Sequence, residues 1–466
     1  MKRRRLAVAL AAGFVAAAGA CTPDVGSSRI PTAMQFDLTT APPRAPQPTA
    51  LIVNPQTGLI DFSLAGTPIP ADCSTQTALT PAQCQFDQWL QTLDGFPSLT
   101  TASAPASGPL DRTTLTLGTN VDVFACDPKA AGGCAANGAP VTSGLAVDFD
   151  PTSNSLTVTP PGPWTLGELY WMGVRGYANG IRDTAGAPVV GSPTMALLRE
   201  DSPLTCGATD PSQVKPDCAG YQVVAQGNPM PTPTAAAMQL FQLEAIRLAY
   251  LGGGGFDAMT ASGLPKDELA VLWGFPIHTN SVPLLLPGTA AVPVVPAANQ
   301  IVVGVQGPVD AATVSAFVAK VQSGPVVVMD LTAAAAGDLD AGFPPLGAAY
   351  LPTPGAALPG AIAIQFAAPF PAGHEIGLFF TNAIHSPDGA PLVASPVSVL
   401  LRLTAPLVDS AGHSTVSGVG DTDAAVLEAG RQALAPLFDN PIFTPLTGVT
   451  RANLVYCYAF VPTVMP

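Results

Sequence analysis

The chain has 466 residues, with 18 basic and 32 acidic side chains and a formal net charge of −14 at pH 7. A surface of this sign repels nucleic acid and anionic lipid, so neither is an expected partner. Charged residues make up only 11% of the chain and hydrophobic residues 48%, a composition that excludes intrinsic disorder of the whole protein.

The first residues have the pattern of an export signal. Lys2 and three arginines precede an apolar stretch at residues 6–20, which is shorter than the ~20 residues that a membrane-spanning helix needs. Small side chains then lead to Cys21. The segment resembles the lipobox of bacterial lipoproteins, although Ala18 stands where leucine is commonest. An ordinary secretory signal with an incidental cysteine is the alternative.

The resemblance implies that residues 1–20 are a signal peptide and that Cys21 carries a lipid, which anchors the protein in a membrane. Thr22 follows, not aspartate, which in Gram-negative lipoproteins implies export to the outer membrane. We therefore expect an outer-membrane protein held by its lipid, on the periplasmic face or at the cell surface. Residues 21–47 are polar and proline-rich without periodicity, which indicates a disordered tether.

Most of the remaining cysteines fall into close neighbours along the chain. Disulfides that staple short loops are the natural interpretation in an exported protein, although several pairings are open from sequence alone. A zinc site is the alternative, and it is disfavoured because the spacings are not CxxC. Cys457 lies in a strand-like run and is expected to be a buried free thiol. The disulfide candidates are Cys73 and Cys84, Cys126 and Cys134, and Cys206 and Cys218.

Beyond the tether, the chain repeats one order of elements. In each copy an apolar run leads into a turn on Gly186 or Gly389, where a positive φ is expected, and Ala-Pro follows. A strand-like run closes each copy, at residues 268–279 and 452–463. The two units are expected at residues 48–282 and 283–466.

Each copy also has a helical pattern before its last strand, near residues 235–251 and 422–437. Each helix carries a glutamate and an arginine three positions apart, which face each other on a helix. A surface ion pair is the expected role, and a catalytic pair is the alternative. The glycines at 252–255 lack the lysine of a P-loop and are interpreted as a helix stop. The two pairs are Glu244 with Arg247 and Glu428 with Arg431.

Short runs of alternating apolar residues precede these elements. Because prolines recur throughout, we predict a mainly β fold rather than a helical one. The predicted architecture is two tandem Ig-like β-sandwich units, each with a single helical insert before its last strand. Two such units predict two separate hydrophobic cores. The strand-like runs are residues 114–117, 121–124, 145–149, 156–159, 301–305, 326–329 and 361–366.

Several turn-and-strand segments resemble the amino-terminal region of the bacterial virulence-factor lipases. These are surface lipoproteins whose front half is built from SbsA-type Ig-like domains, and the resemblance implies the same fold here. Those lipases continue into a hydrolase domain that carries G-x-S-x-G. The nearest match here is Gly412-His413-Ser414-Thr415-Val416, which lacks the last glycine and lies too near the end of the sequence for such a domain. The similar segments are residues 52–60, 93–96, 108–111, 170–188, 307–310 and 387–391.

Ser414 is therefore not an expected nucleophile. The histidines, at positions 278, 374, 385 and 413, form no HExxH pattern and predict no metal site. A pair of carboxylates for glycoside hydrolysis stays an open alternative, because the two residues meet only in the folded protein and their pairing is not visible in the sequence. A set of aromatic residues is interpreted as sandwich core, with a binding surface as the alternative. They are Trp164, Tyr170, Trp171 and Tyr177.

These observations predict a non-enzymatic binding, adhesion or spacer module, presented from the membrane through the lipid on Cys21 and without a cofactor. The alternative is a lipase- or esterase-related protein, or an accessory subunit of a separately encoded hydrolase. The sequence does not identify a protein or glycan ligand.

Overall fold

In a computed structural model of the protein, the structure describes residues 30–37, 44–75, 78–131, 133–225, 231–284, 294–295, 300–315, 324–338, 343, 345–352 and 360–462. The predicted signal peptide at residues 1–20 and the predicted lipidation site Cys21 lie outside the described residues. Of the described residues, 31% are helical and 26% are in strands or β-bridges.

The first half of the chain contains two antiparallel sheets and one short parallel pair. Its strands are β1 (Ala33–Met34), β2 (Ala102–Pro105), β3 (Val121–Cys126), β4 (Ala139–Pro140), β5 (Ala146–Asp150), β6 (Ser155–Thr159), β7 (Leu169–Arg175), β8 (Val190–Gly191) and β9 (Leu269–Pro276). One sheet has the order β2-β6-β5 and the other the order β4-β3-β7-β9. The parallel pair joins β1 to β8.

The second half is built in the same way. Its strands are β10 (Val282–Pro283), β11 (Val294–Val295), β12 (Gln300–Gln306), β13 (Val326–Asp330), β14 (Pro345–Pro352), β15 (Gly360–Phe366), β16 (Ile376–Thr381) and β17 (Leu454–Phe460). They form the sheets β10-β12-β15-β14, with β11 also on β12, and β13-β16-β17. In chain order, β12-β15-β14 corresponds to β2-β6-β5, and β13-β16-β17 corresponds to β3-β7-β9. The strand order therefore repeats.

Helices lie between the strands of both halves. They are α1 (Pro81–Leu90), α2 (Gly133–Asn137), α3 (Pro193–Leu198), α4 (Ala219–Ala225), α5 (Pro233–Gly252), α6 (Gly255–Ala261), α7 (Ala311–Ser315), α8 (Leu331–Ala335), α9 (Pro396–Arg402), α10 (Asp421–Asp439) and α11 (Phe443–Thr447). The long helices α5 and α10 confirm the helices predicted near 235–251 and 422–437. In the part of the chain that the structure describes, no helix is long and apolar enough to cross a membrane.

Strands do not dominate the fold, so the predicted mainly β class is not confirmed, and the prediction of a single helical insert in each unit is wrong. Prolines mark where helices begin. Thr80, Ser192, Thr232 and Ser395 each precede a proline, and their hydroxyl oxygens accept a backbone N–H of the first helical turn. A proline at this position loses no hydrogen bond and has a suitable φ. Frequent prolines are therefore compatible with many short helices.

The two turns that the repeat predicts are present, and one predicted strand is not. Gly186 and Gly389 have φ values of 78° and 85°, in the left-handed region that favours glycine. The run at 114–117 is wrong as a strand, because a 3-10 helix spans Arg112–Thr114. Its N-terminus is capped by the Asp111 carboxylate, which accepts a hydrogen bond from the Thr113 N–H.

One continuous cluster of buried apolar side chains extends across both halves and includes Val121, Leu156, Ile301 and Tyr456. The prediction of two separate cores is therefore wrong, although the strand order repeats. The reason lies in the connection between the halves. β9 ends at residue 276 and β10 begins at residue 282, so only five residues separate the two halves.

Part of the predicted tether packs on the first unit. Met34 and Phe36 are buried, and the Phe36 ring meets the Tyr250 ring of α5 edge to face at 6.3 Å. Gln47 forms an antiparallel bridge with Ser103 of β2. Disorder is therefore wrong for residues 30–37 and 44–47, because Met34 and Phe36 join the continuous core and Gln47 pairs with a strand.

The three neighbouring cysteine pairs form disulfides, as predicted. The bonds join Cys73 to Cys84, Cys126 to Cys134, and Cys206 to Cys218. The first of them ties a short 3-10 turn to α1. Cys457 is the buried free thiol that the sequence predicts, and burial raises its pKa to about 12, which leaves it protonated and unreactive.

Candidate functional site

The hydroxyl of Ser414 is held by backbone groups of its own loop. Ser414 Oγ donates to the Val416 carbonyl oxygen at 3.0 Å and accepts from the Val416 N–H at 3.3 Å. The neighbouring His413 Nδ1 lies 3.1 Å from Asp421 Oδ2, and hydrogen bonding to this carboxylate raises the pKa of the exposed imidazole. Asp421 also accepts the Ser414 N–H. The Asp421 carboxylate thus ties the loop to the first turn of α10, and the hydrogen bonds described for the serine hydroxyl go to backbone groups of Val416 rather than to the imidazole.

His278 and His374 have different surroundings. His278 is buried, and burial lowers its pKa to about 4, so it is neutral at pH 7. His374 Nδ1 lies 2.7 Å from Asp330 Oδ2, and Asp330 also caps α8. Within the described ranges, no group of three or more His, Cys, Asp or Glu side chains could hold a metal ion.

One member of each Glu–Arg pair is buried, Arg247 in the first and Glu428 in the second, and its partner is only slightly exposed, which corrects the predicted surface location. Arg247 and Arg431 each donate two hydrogen bonds to their glutamate, at 2.7 and 2.8 Å in both pairs. Each glutamate also accepts a backbone N–H from the chain that leads up to its helix, Leu204 for Glu244 and Leu407 for Glu428. The hydrogen bonds from Arg431 lower the pKa of Glu428 to about 2. Both pairs therefore brace a helix against the segment before it.

The aromatic set belongs mostly to the core. Trp164, Tyr170 and Trp171 are buried, whereas Tyr177 is partly exposed.

The glycine run 252–255 ends α5, as predicted, and it also makes room for the Trp171 side chain. A Cβ added at Gly255 or at Gly274 of β9 would lie 2.7 Å from the Trp171 ring. These glycines therefore form the wall against which the Trp171 ring packs, which the sequence did not indicate.

The segment between the two units is short and largely buried. In residues 277–281, Ile277, His278 and Ser281 are buried, and only Thr279 is exposed. Asp94 of the first unit accepts hydrogen bonds from the Thr279 N–H and hydroxyl, at 2.9 and 2.6 Å. The linker is thus bonded to the unit that it leaves.

A buried glutamine joins the units directly. Gln306 ends β12, and its side-chain oxygen accepts a hydrogen bond from the Ser98 hydroxyl at 2.5 Å. Its amide nitrogen donates to the Trp164 carbonyl oxygen at 2.6 Å. Both partners belong to the first half of the chain, so the oxygen and the nitrogen of one side-chain amide in the second half are both hydrogen-bonded to the first half. No sequence pattern marks this glutamine, because its partners lie far away along the chain.

Helix α1 makes a second contact between the units. Gln85 donates to the Thr404 hydroxyl at 2.6 Å, and its oxygen accepts the Thr404 N–H. Gln83 accepts the Ser417 N–H at 2.6 Å and donates to Asp87 at 2.7 Å. The Cys73–Cys84 disulfide also ties α1 to the segment before it, so the helix that makes this contact is covalently linked to the first half of the chain.

The described side chains therefore assemble a junction between the two halves of the chain, and no catalytic constellation is recognisable among them. The junction combines a largely buried linker, the Gln306 bridge and the α1 contact. Comparison with known proteins adds no name to this arrangement: no protein-family description matches the chain, and no curated protein matches it.

Proposed function

We propose that the protein is a lipid-anchored outer-membrane protein whose two Ig-like units act as a rigid, non-enzymatic binding, adhesion or spacer module. The observation that carries the proposal is the junction. There the amide oxygen and the amide nitrogen of Gln306 are both hydrogen-bonded to the first unit. A spacer or presenting module needs units that keep a fixed orientation, whereas interfaces between independent domains are usually mobile.

The strand order supports the Ig-like part of the proposal. An Ig constant-type domain has the sheets A-B-E-D and C-F-G. The sheets β10-β12-β15-β14 and β13-β16-β17 follow this order when β10 is taken as strand A. In the first half, β2-β6-β5 and β3-β7-β9 correspond to B-E-D and C-F-G, and the bridge of Gln47 with Ser103 takes the position of strand A.

The helices lie in a connection that Ig domains use for recognition. The connection between the last two strands is one of the binding loops of variable Ig domains. In both halves this connection carries the long helix, α5 between β7 and β9 and α10 between β16 and β17. A binding role in this position is an argument from fold analogy.

A rigid junction is expected to give a narrow distance between the units. Spin labels at Gln242→Cys and Ala433→Cys, on exposed faces of α5 and α10, report this distance by pulsed electron resonance in a Cys21→Ser background. We expect a single narrow distribution, which Gln306→Ala broadens because the Ser98 and Trp164 groups lose their partner. Gln300→Ala, at the other end of the same strand, is the matched control. A broad distribution in the parent protein would contradict a rigid spacer.

The anchor is tested separately by metabolic labelling. Cells grown with labelled palmitate are expected to incorporate label into the protein, and Cys21→Ser is expected to remove it, because the thiol is the acceptor of the lipid. Gel fluorography of the purified protein measures the label. Cys457→Ser is the control, since this thiol is buried and should not change the labelling. Equal labelling of the parent and of Cys21→Ser would refute the anchor.

A further inference from the structure

The disulfide between Cys206 and Cys218 differs from the other two in its exposure. Among the disulfide-bonded cysteines that the structure describes, Cys206 alone is exposed to solvent, whereas its partner Cys218 is buried. Both cysteines of each remaining bond are buried, with exposed fractions of 6% or less. Because thiol–disulfide exchange needs access to a sulfur atom, exposed disulfides are the ones that react. A reagent in solution therefore reaches this bond from the Cys206 side.

The backbone at Cys206 is in an unfavourable conformation. Its φ is 52°, in the left-handed region that residues with a Cβ rarely adopt, and Gly207 follows with a φ of 83°. Such a conformation persists only where the surrounding structure holds it, and the covalent ring closed by Cys218 is part of that structure. Opening the ring frees Cys206 to leave this conformation, which favours the reduced form.

The buried partner has a hydrogen-bond acceptor in place for a thiol. Cys218 Sγ lies 3.0 Å from the Leu204 carbonyl oxygen. A disulfide sulfur carries no proton, so this contact is not a hydrogen bond in the oxidised protein. The thiol that reduction leaves on Cys218 can donate to the same oxygen without movement of the chain. The sulfur that leaves in an exchange reaction is therefore already placed for its reduced state.

The second unit shows that the helix is braced without a disulfide. Leu204 and Leu407 correspond, because each donates its backbone N–H to the glutamate of the Glu–Arg pair in its unit. From Leu407 the chain reaches α10 through residues 408–420, which contain no cysteine, whereas residues 205–232 separate Leu204 from α5. The first unit therefore carries an insertion, and the disulfide closes a loop within this insertion.

We propose that Cys206–Cys218 is a thiol–disulfide exchange site that reacts with a dithiol, and that its reduction opens the loop at residues 206–217. A thiolate of the dithiol attacks Cys206 Sγ, and the electron pair of the S–S bond passes to Cys218 Sγ, which takes up a proton. The second thiol of the reductant loses its proton and attacks the mixed disulfide. Cys206 is released and protonated, and the reductant leaves as a disulfide. Two electrons and two protons have then passed to the protein.

The opening is expected to stay local. The hydrogen bonds described for the backbone and side chains of residues 206–217 join positions at most four apart. Val214 is partly buried against the apolar cluster that lines α5, so opening of the loop also exposes this side chain. The brace of α5 lies outside the loop, because Glu244 bonds to the Leu204 N–H and to the arginine of its own helix. This inference does not depend on the lipid anchor.

Graded reduction of the oxidised full chain tests the proposal. The protein is incubated with dithiothreitol, quenched with N-ethylmaleimide, then fully reduced and labelled with iodoacetamide, so that mass spectrometry gives the reduced fraction of each cysteine. We expect Cys206 and Cys218 to be reduced at least about tenfold faster than the other two disulfides, which are internal controls. Reduction of all three bonds at one rate would mean that unfolding controls access, and it would overturn the exchange site.

Two single variants identify the sulfur that is attacked. In Cys218→Ser the Cys206 thiol is expected to react with a nitrobenzoate disulfide reagent at least about tenfold faster than the Cys218 thiol does in Cys206→Ser, because Cys206 is exposed and Cys218 is buried. Circular dichroism checks that both variants fold. Equal rates in the two folded variants would contradict attack at Cys206.

Hydrogen exchange before and after selective reduction separates a switch from a structural staple. We expect faster amide exchange in residues 206–217 and unchanged exchange in α5, which keeps its bond from Glu244 to the Leu204 N–H. Faster exchange along α5 as well would mean that the disulfide holds the helix, and it would overturn the local opening. Unchanged exchange in the loop would overturn it too.

Discussion

Replacing Glu428 by glutamine is expected to lower the free energy of unfolding by about 3 kcal/mol, because it leaves the largely buried Arg431 guanidinium without its counter-charge. Arg431 donates two hydrogen bonds to Glu428, and Glu428 also accepts the Leu407 N–H. The pair therefore joins α10 to the segment that precedes it. Urea denaturation followed by circular dichroism measures the change.

The same chain contains two controls for this prediction. Glu244→Gln in the corresponding pair of the first unit is expected to have a similar effect. Asp439→Asn breaks the exposed pair with Arg451 and should cost less than about 1 kcal/mol. A double variant, Glu428→Leu with Arg431→Met, is expected to be less destabilised than Glu428→Gln, because no lone charge remains buried. Equal effects of Glu428→Gln and Asp439→Asn would contradict a bracing role.

The pH dependence of this pair has a definite sign. The hydrogen bonds from Arg431 lower the pKa of Glu428 from 4.5 to about 2 in the folded protein. Because the folded-state pKa is lowered, the stabilisation is present above pH 4.5 and is lost as the pH falls towards 2. Acid unfolding of the parent protein therefore includes protonation of Glu428, a contribution that the glutamine variant lacks.

The elements that local patterns specify were predictable from sequence. The strands at 121–126 and 300–306 and the two long helices follow from apolar periodicity, and the glycine turns follow from the need for a positive φ. The short helices are not predictable when proline is treated only as a helix breaker, because here proline stands at the first helical position. A serine or threonine immediately before proline, as at Thr80 and Ser192, is the signal that distinguishes a helix start from a break.

Burial of the ion pairs and the junction between units were not predictable in the same way. A spacing of three shows that Glu428 and Arg431 share a helix face, but not which face packs inward. The contact of Gln306 with Ser98 joins residues 208 positions apart, and no local pattern encodes such a pairing. The continuous core was not predictable for the same reason, since it depends on contacts between residues that are far apart along the chain.

A second large effect is expected at Asp87 of α1, which is 6% exposed and hydrogen-bonded to Gln83 at 2.7 Å. Burial raises its pKa from 3.8 to about 6, so the ionised carboxylate is disfavoured in the folded protein. A change of this size corresponds to about 3 kcal/mol between the two protonation states. Because the folded-state pKa is raised, the stabilising contribution is complete below pH 3.8 and is lost as the pH rises through about 6.

Asp87→Asn is therefore expected to stabilise the protein by up to about 3 kcal/mol at pH 8 and to have little effect near pH 4, since asparagine keeps an oxygen for Gln83 and cannot ionise. Thermal unfolding at the two pH values measures the difference. Asp72→Asn is the control of opposite sign, because hydrogen bonds from Ser74 lower the pKa of that exposed carboxyl. It should be neutral or destabilising at pH 8. An advantage of Asp87→Asn that is equal at both pH values would mean that ionisation of the buried carboxylate is not its cause.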